Sequence, residues 1–152
     1  MLGSNEVDLI SQRSQRLSGN TTAPTRLAAA VAPRLAKAGA GAIVNIGSVM
    51  GFAPEFNMSV YGASKAFVLF LSQGLHQELA AQGVYVQAVL PAATRTEIWE
   101  RAGVDVNTLP EVMEVEELVD AALGATQARV DALKARYRLL VDAHLIWGLQ
   151  DD

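Results

Sequence analysis

Apolar and polar positions fall into blocks along this chain, and each block carries its own period. Residues 1–19 are polar, ending in SQRSQRLSG, and Val7, Leu9 and Ile10 are too few to define a face. This part reads as an irregular N-terminal arm or a short, weak helix. From Thr21 the pattern turns helical, with Leu27, Ala28, Val31 and Leu35 at helical spacing. Thr22 suits the cap and Pro24 the first turn. Pro33 should kink the helix or shorten its ladder, and Gly39-Ala-Gly41 should end it. Ala42 to Ile46 is a short β-branched run that predicts a strand buried on both faces.

Gly47 to Ser59 holds two Gly, a Pro and an Asn, and reads as loop. From about Val60 to Gln82 a long helix is predicted, apolar over most of its surface, with Gly83 as its stop. Val84 to Leu90 predicts a second buried strand, ended by Pro91. Strand, helix, strand in that order is a βαβ unit with parallel strands. A ligand crevice is then expected outside the carboxyl ends of the strands, where Gly47-Ser48 and Pro91–Thr96 fall. Thr96 to Ala102 predicts one short helix and Val104 to Pro110 a loop. Glu114 to Gln127 predicts a helix that Arg129 to Trp147 can continue, with Leu133, Tyr137, Leu140 and Leu145 on a rough stripe. No internal repeat or linker divides the chain.

Composition narrows the class. The chain has 152 residues, 51% apolar and 18% charged, which suits one globular domain with a core. Net charge is −4 with no basic stripe, so nucleic acid is not expected as a partner. Cysteine is absent, which excludes disulfides and thiolate metal sites. The two histidines, His76 and His144, have no metal-ligand spacing, and no metal is expected. His76 reads as a surface or interface residue and His144 as a tail residue. The N-terminus lacks the apolar core of a signal peptide, and no apolar run is long enough to span a membrane. The expectation is a cytoplasmic domain without a membrane partner.

The candidate chemistry lies between Ile43 and Lys65. Tyr61 and Lys65 are at i and i+4 and share a helix face. A phenol titrating near ~10 is a poor acid or base at neutral pH, and a nearby ammonium favours its ionised form. Ser48, across the crevice, would hold a carbonyl oxygen beside the phenol. Ser48, Tyr61 and Lys65 together suit protonation of a carbonyl as hydride arrives, or the reverse. The dyad by itself also fits an ordinary surface pair.

IVNIGSVMG, then YGASKA, then VYVQAVLPAATRT, resembles the short-chain dehydrogenase/reductase family in content, order and spacing. The resemblance implies an α/β, Rossmann-like doubly wound parallel sheet and an NAD- or NADP-dependent oxidoreductase acting on a small-molecule alcohol or ketone. It implies Tyr61 as catalytic acid/base. Lys65 would act on the phenol and hold the nicotinamide ribose, and Ser48 would orient the substrate carbonyl. Asn20, in NTTAPTRL, matches the family's proton-relay Asn on the preceding helix. Pro91 and Thr96 match cofactor contacts after the second strand, and Thr94 occupies another. Ala92 stands where the family usually has Gly. The resemblance runs from about Asn20 to Leu123, which sets expected regions at 1–19, 20–124 and a helical tail at 125–152.

The family's opening strand and glycine-rich turn, which receive the pyrophosphate, have no counterpart before Asn20. A catalytic half without the N-terminal βαβ cofactor half is therefore expected, and a truncated or frame-disturbed copy of a longer gene is the expected reason. Two other readings stand beside the oxidoreductase. Gly62-Ala-Ser64-Lys-Ala66 loosely resembles a hydrolase nucleophile elbow, but a loop stands where a strand is needed, and His76 is about three turns away. The alternative is a truncated non-catalytic fragment acting as an oligomerisation or interaction module. Helices 22–38 and 60–82 would then pair copies of the chain, burying Leu27, Val31, Leu35, Leu71 and Leu75. Val49, Met50, Phe52, Phe56, Met58, Ile98 and Trp99 predict an apolar pocket around Ser48 and Tyr61, suited to a hydrophobic alcohol or ketone.

Overall fold

The computed structural model describes residues 4–56, 58–101 and 103–147. The side chains of Val7, Leu9, Ile10, Phe56, Leu133, Tyr137, Leu140, His144 and Leu145, and all of Ala102, lie outside the described residues.

Helix α1 spans Ser4–Ala38. It therefore takes in residues read as an irregular arm or a short, weak helix, and Thr22 lies inside the helix rather than at its cap. Its N-terminal half contains Gln, Arg, Leu and Glu, which favour helix without any apolar face. Pro24 and Pro33 both lie inside α1. Each removes one N–H from the ladder. Around Pro24, Thr21 Oγ1 donates to Leu17 O at 2.9 Å and Thr25 Oγ1 donates to Thr21 O at 2.8 Å, side-chain bonds of the kind that compete with the ladder and bend helices. The helix ends at Gly39, whose N–H donates to Ala36 O at 3.1 Å.

Strand β1 (Gly41–Ile46) leads through turns at Val49–Phe52 and Pro54–Phe56 to helix α2 (Ser59–Leu79). A tight turn at Ala80–Gln82 precedes strand β2 (Val84–Val89). The strands pair in parallel, Gly41 with Val84 through to Ile46 with Val89, as the βαβ order predicts. Short helix α3 (Ile98–Arg101) and long helix α4 (Val115–Trp147) follow. The helix read from Glu114 and its continuation from Arg129 to Trp147 are one continuous helix, α4.

The core sits between the sheet and the helix pair α1/α2. Ile43, Leu79, Val84 and Val86 are buried, and Ala32, Leu35, Ala36 and Leu75 pack against them. The other side of β2 meets α4, where Thr126 Oγ1 donates to Gln87 Oε1 at 3.0 Å and Ala122 is buried. The strands are not buried on both faces as their composition predicts. Most strand residues are half-buried and Ile46 is 52% exposed. Each strand has one neighbour, so one edge of each has no described strand beside it. Of the helix positions expected to be covered, Leu35 and Leu75 join the core, whereas Leu27 and Val31 are exposed.

Candidate active site

The site forms where both strands end. Beyond β1, Gly47 N donates to Val89 O at 2.7 Å and Val49 N donates to Pro91 O at 3.2 Å, so the pairing runs past both strands. Ser48 lies between these bonds and is buried. Its extended backbone begins the 49–52 turn, and its Oγ accepts from Met50 N at 3.3 Å. The same hydroxyl donates to Pro91 O at 3.5 Å. Two motifs separated by more than forty positions are thereby joined.

The 49–52 turn presses on the start of α2 backbone to backbone. A Cβ at Gly51 would stand 2.9 Å from Ala66 N and from Lys65 C, and one at Gly62 would stand 2.9 Å from Met50 O. Any side chain at either position would push the Ser48 loop away from the Tyr61–Lys65 turn.

Tyr61 and Lys65 do share a face of α2. Lys65 Nζ lies 5.6 Å from the Tyr61 ring centroid and donates to Ile46 O, the last carbonyl of β1, at 3.3 Å. Burial pushes the Lys65 ammonium below its ordinary 10.5. The folded chain thus releases this proton at a lower pH than the unfolded chain does. Between the folded value and 10.5 the unfolded state binds more protons, so stability rises with pH there. Lys65→Met is expected to flatten that rise. Urea unfolding of both proteins at intervals from pH 8 to about 10.5 checks it, since all other groups cancel in the difference. Parallel curves would mean that burial of Lys65 carries no energetic cost.

Asn20 reaches the same turn indirectly. Its Nδ2 donates to Ser64 Oγ at 3.0 Å, and Ser64 Oγ donates to Tyr61 O at 2.7 Å. Ser64 is 1% exposed, so this two-bond link fastens α1 to the first turn of α2 out of water. The sequence marked Ser64 only as a doubtful nucleophile. Its spacing was the available signal, because a Ser three residues after Tyr61 lies on the Tyr61 face and can bond back to the helix carbonyls.

Beyond Pro91 the chain is held by a bridge between Thr94 and Met113. Met113 N donates to Ala93 O and Arg95 N donates to Met113 O, each at 2.9 Å. Arg95 also pairs with Glu114 at 2.8 Å and donates to Asn107 Oδ1 at 3.0 Å. Trp99 Nε1 donates to Thr94 O at 2.7 Å, tying α3 to the same loop. The Thr94 hydroxyl is buried with no hydrogen-bond partner. Leaving such a group unpaired costs ~1–3 kcal/mol. Thr96 is exposed. Of the apolar side chains expected to line a pocket, Phe52, Met58 and Ile98 are 60%, 49% and 63% exposed.

A family model described as short chain dehydrogenase matches residues 7–107. The chain belongs to the short-chain dehydrogenase family. The match begins earlier than Asn20, where the sequence motifs begin, and stops before Leu123. Among curated proteins, putative steroid dehydrogenase 3 of Caenorhabditis elegans is 42% identical over 79 residues, 52% of this chain and 25% of that protein. The very-long-chain 3-oxoacyl-CoA reductase of Bos taurus is 36% identical over 91 residues, 60% of this chain and 29% of that protein. Among solved structures, a short-chain dehydrogenase from Sphingobium yanoikuyae in complex with NADPH is 67% identical, with a TM-score of 0.67. The match covers 81% of this chain and 53% of that one. The bulky-bulky ketone specific alcohol dehydrogenase of Comamonas testosteroni is 55% identical with a TM-score of 0.62, covering 88% of this chain and 52% of that one. This short-chain dehydrogenase chain thus spans between a quarter and a third of those curated relatives, and about half of the solved ones. The fold is α/β with a parallel sheet, as in these neighbours. Among the described residues no helix is long and apolar enough to cross a membrane.

Proposed function

We propose that this chain carries the carbonyl-handling half of an NAD- or NADP-dependent oxidoreductase, with Ser48, Tyr61 and Lys65 as its reacting groups. The observation that carries the reading is the convergence at the strand ends. Lys65 Nζ stands over the Tyr61 ring and on Ile46 O, two residues along the chain from the buried Ser48. When bound, reduced nicotinamide supplies a hydride to the carbonyl carbon of a ketone. Ser48 Oγ leaves its long bond to Pro91 O and holds the carbonyl oxygen. Tyr61 Oη gives its proton to that oxygen, completing the alcohol, and Lys65 stabilises the phenolate that remains. Alcohol oxidation runs the same steps backwards. Asn20 acts through Ser64 on the placement of Tyr61.

The nicotinamide end of the cofactor suits these residues. Lys65 offers donors to a ribose, and the unpaired Thr94 hydroxyl is a buried group in want of a polar partner such as a carboxamide. Pro91 and Thr96 flank that hydroxyl in sequence. The pyrophosphate end has no cradle among the described residues, because residues 4–38 form a helix. The exposed apolar side chains of Phe52, Met58 and Ile98 favour a bulky hydrophobic ketone, and a relative's specificity for bulky ketones points the same way. Titration of the chain with NADH and NADPH, followed by nicotinamide fluorescence and then by reduction of a bulky aryl ketone, tests the reading. Saturable binding with turnover is expected. A folded chain that binds neither nucleotide would sink it.

A second reading rests on a separate observation. Phe70 is 78% exposed, Leu27 67% and Phe67 40%, all on α1 or α2. Copies of the chain would pair through 22–38 and 60–82 and cover this surface. Sedimentation that stays monomeric at high concentration would rule the pairing out.

A further inference from the structure

Two serines, Ser64 and Ser72, lie buried on one stripe of α2, with buried Val68 between them. Each hydroxyl donates back to its own helix, Ser64 to Tyr61 O and Ser72 to Val68 O, both at 2.7 Å. Each also accepts from an asparagine amide on a neighbouring element. Asn20 of α1 donates to Ser64 at 3.0 Å, and Asn45 of β1 donates to Ser72 at 2.9 Å.

The Asn45–Ser72 link touches none of the reacting groups. It does end one residue from Ile46, whose carbonyl receives Lys65 Nζ at 3.3 Å. Gly47 N–H points to β2, where it donates to Val89 O. Backbone groups of successive strand residues point to opposite sides, so Ile46 O faces the edge of β1 that has no described strand beside it. The ladder holds Ile46 within the sheet but does not set how far the end of the sheet stands from α2. Further from the site the apolar core sets that spacing, through Ile43, Leu75 and Leu79. Nearer the site the Ile46 side chain is exposed, and Asn45 with Ser72 takes the place of apolar packing. Alanine at 72 would suit a buried helix position at least as well. The hydroxyl adds direction rather than burial, because its bond holds only over a narrow range of distance and angle.

We propose that Asn45 and Ser72 are a positioning pair, setting the spacing between β1 and α2 at which Lys65 Nζ reaches Ile46 O and stands over the Tyr61 ring. Both act through Lys65 and neither is a catalytic residue. The role rests on Tyr61 and Lys65 being reacting groups of the oxidoreductase, whereas the placement itself is measurable without any ligand.

The chain has three lysines, Lys37, Lys65 and Lys134, so the ε-methylene spectrum of the carbon-13-labelled chain is simple, and Lys65→Arg assigns the signal of interest. Held over the Tyr61 ring, Lys65 should resonate upfield of the other two. Ser72→Ala, which favours helix and adds no volume, should move this signal toward theirs. Asn45→Ala should move it as far, and the double variant no further, since each single change already breaks the bond. Val86→Ala is the control. It empties core volume at β2 without touching the pair, so it should lower the urea midpoint and leave the Lys65 signal in place. With NADPH and a bulky aryl ketone, Ser72→Ala should also slow reduction about ten- to a hundredfold. An unmoved Lys65 signal in Ser72→Ala, an equal shift in Val86→Ala, or a moved signal with an unchanged rate would overturn the proposal. A signal that moves as expected in a chain that binds no nucleotide would uphold the placement of Lys65 and sink the oxidoreductase reading instead.

Discussion

Tyr61→Phe is expected to lower ketone reduction by about 10²–10⁴-fold while leaving nucleotide affinity within about twofold of the unmodified chain. The substitution deletes one oxygen and keeps the ring. Lys65 Nζ keeps its place over the ring face, 5.6 Å from the centroid, and its bond to Ile46 O. Tyr61 is 39% exposed, so losing the hydroxyl empties no core volume and should change stability by less than about 0.5 kcal/mol. What disappears is the proton that the carbonyl oxygen must receive as hydride arrives. Ser48 can hold that oxygen, but an aliphatic hydroxyl is a much weaker acid than a phenol and does not replace its proton. Single-turnover rates with NADPH and a bulky aryl ketone, beside fluorescence titration of the nucleotide, separate the two effects. A variant within a few-fold of the starting rate would remove Tyr61 from the acid/base role, whatever the nucleotide affinity.

That pairing was legible in the sequence because it is local. Four residues on a helix fix a shared face, so Tyr61 and Lys65 meet in any fold that keeps α2 helical. The strand ends were legible for a similar reason. Strand, helix, strand with glycine and proline punctuation allows few arrangements, and the parallel register of Gly41 with Val84 is among them. The start of α1 was not legible, since residues 4–20 carry no apolar stripe and only intrinsic propensity marks them as helix. Strand burial was overestimated because Ile43, Val44 and Ile46 look the same whether one neighbour covers them or two. The Asn20–Ser64 bond joins residues 44 positions apart. Nothing in either segment names the other, so only the packing of α1 on α2 reveals it. His76, read as a surface or interface residue, is half-buried with its ring edge-on to Tyr85, a contact between helix and strand that neither segment names in sequence. Phe52, Met58 and Ile98 are exposed where a pocket was expected, because hydrophobicity alone does not enclose a side chain.

Gly83→Ala is expected to cost about 2–5 kcal/mol, a large share of the ~5–15 kcal/mol that holds a domain of this size. Gly83 caps the Ala80–Gln82 turn in the left-handed region, at φ 75° and ψ 13°. A side chain there costs roughly 1–2 kcal/mol by conformation alone. A Cβ would also collide with the carbonyl of Gly39. That carbonyl belongs to the end of α1, so relief requires moving one helix end against another, at about 1–3 kcal/mol as in other overpacked sites. Gly39→Ala separates the two parts. Gly39 is left-handed too, at φ 63°, but a Cβ there meets nothing within 4 Å, so only the conformational cost applies. Urea midpoints at unchanged slope measure the difference. Equal losses for the two variants would mean that the helix ends do not press on each other. The contact sits where β1 and β2 begin, and the Ser48–Tyr61–Lys65 group sits where they finish. Six residues of strand, roughly 20 Å, lie between. Folded Gly83→Ala molecules should therefore bind nucleotide with unchanged affinity. A loss of affinity in that variant, under conditions where circular dichroism shows it folded, would mean that the spacing of the helix ends is transmitted along the strands to the site.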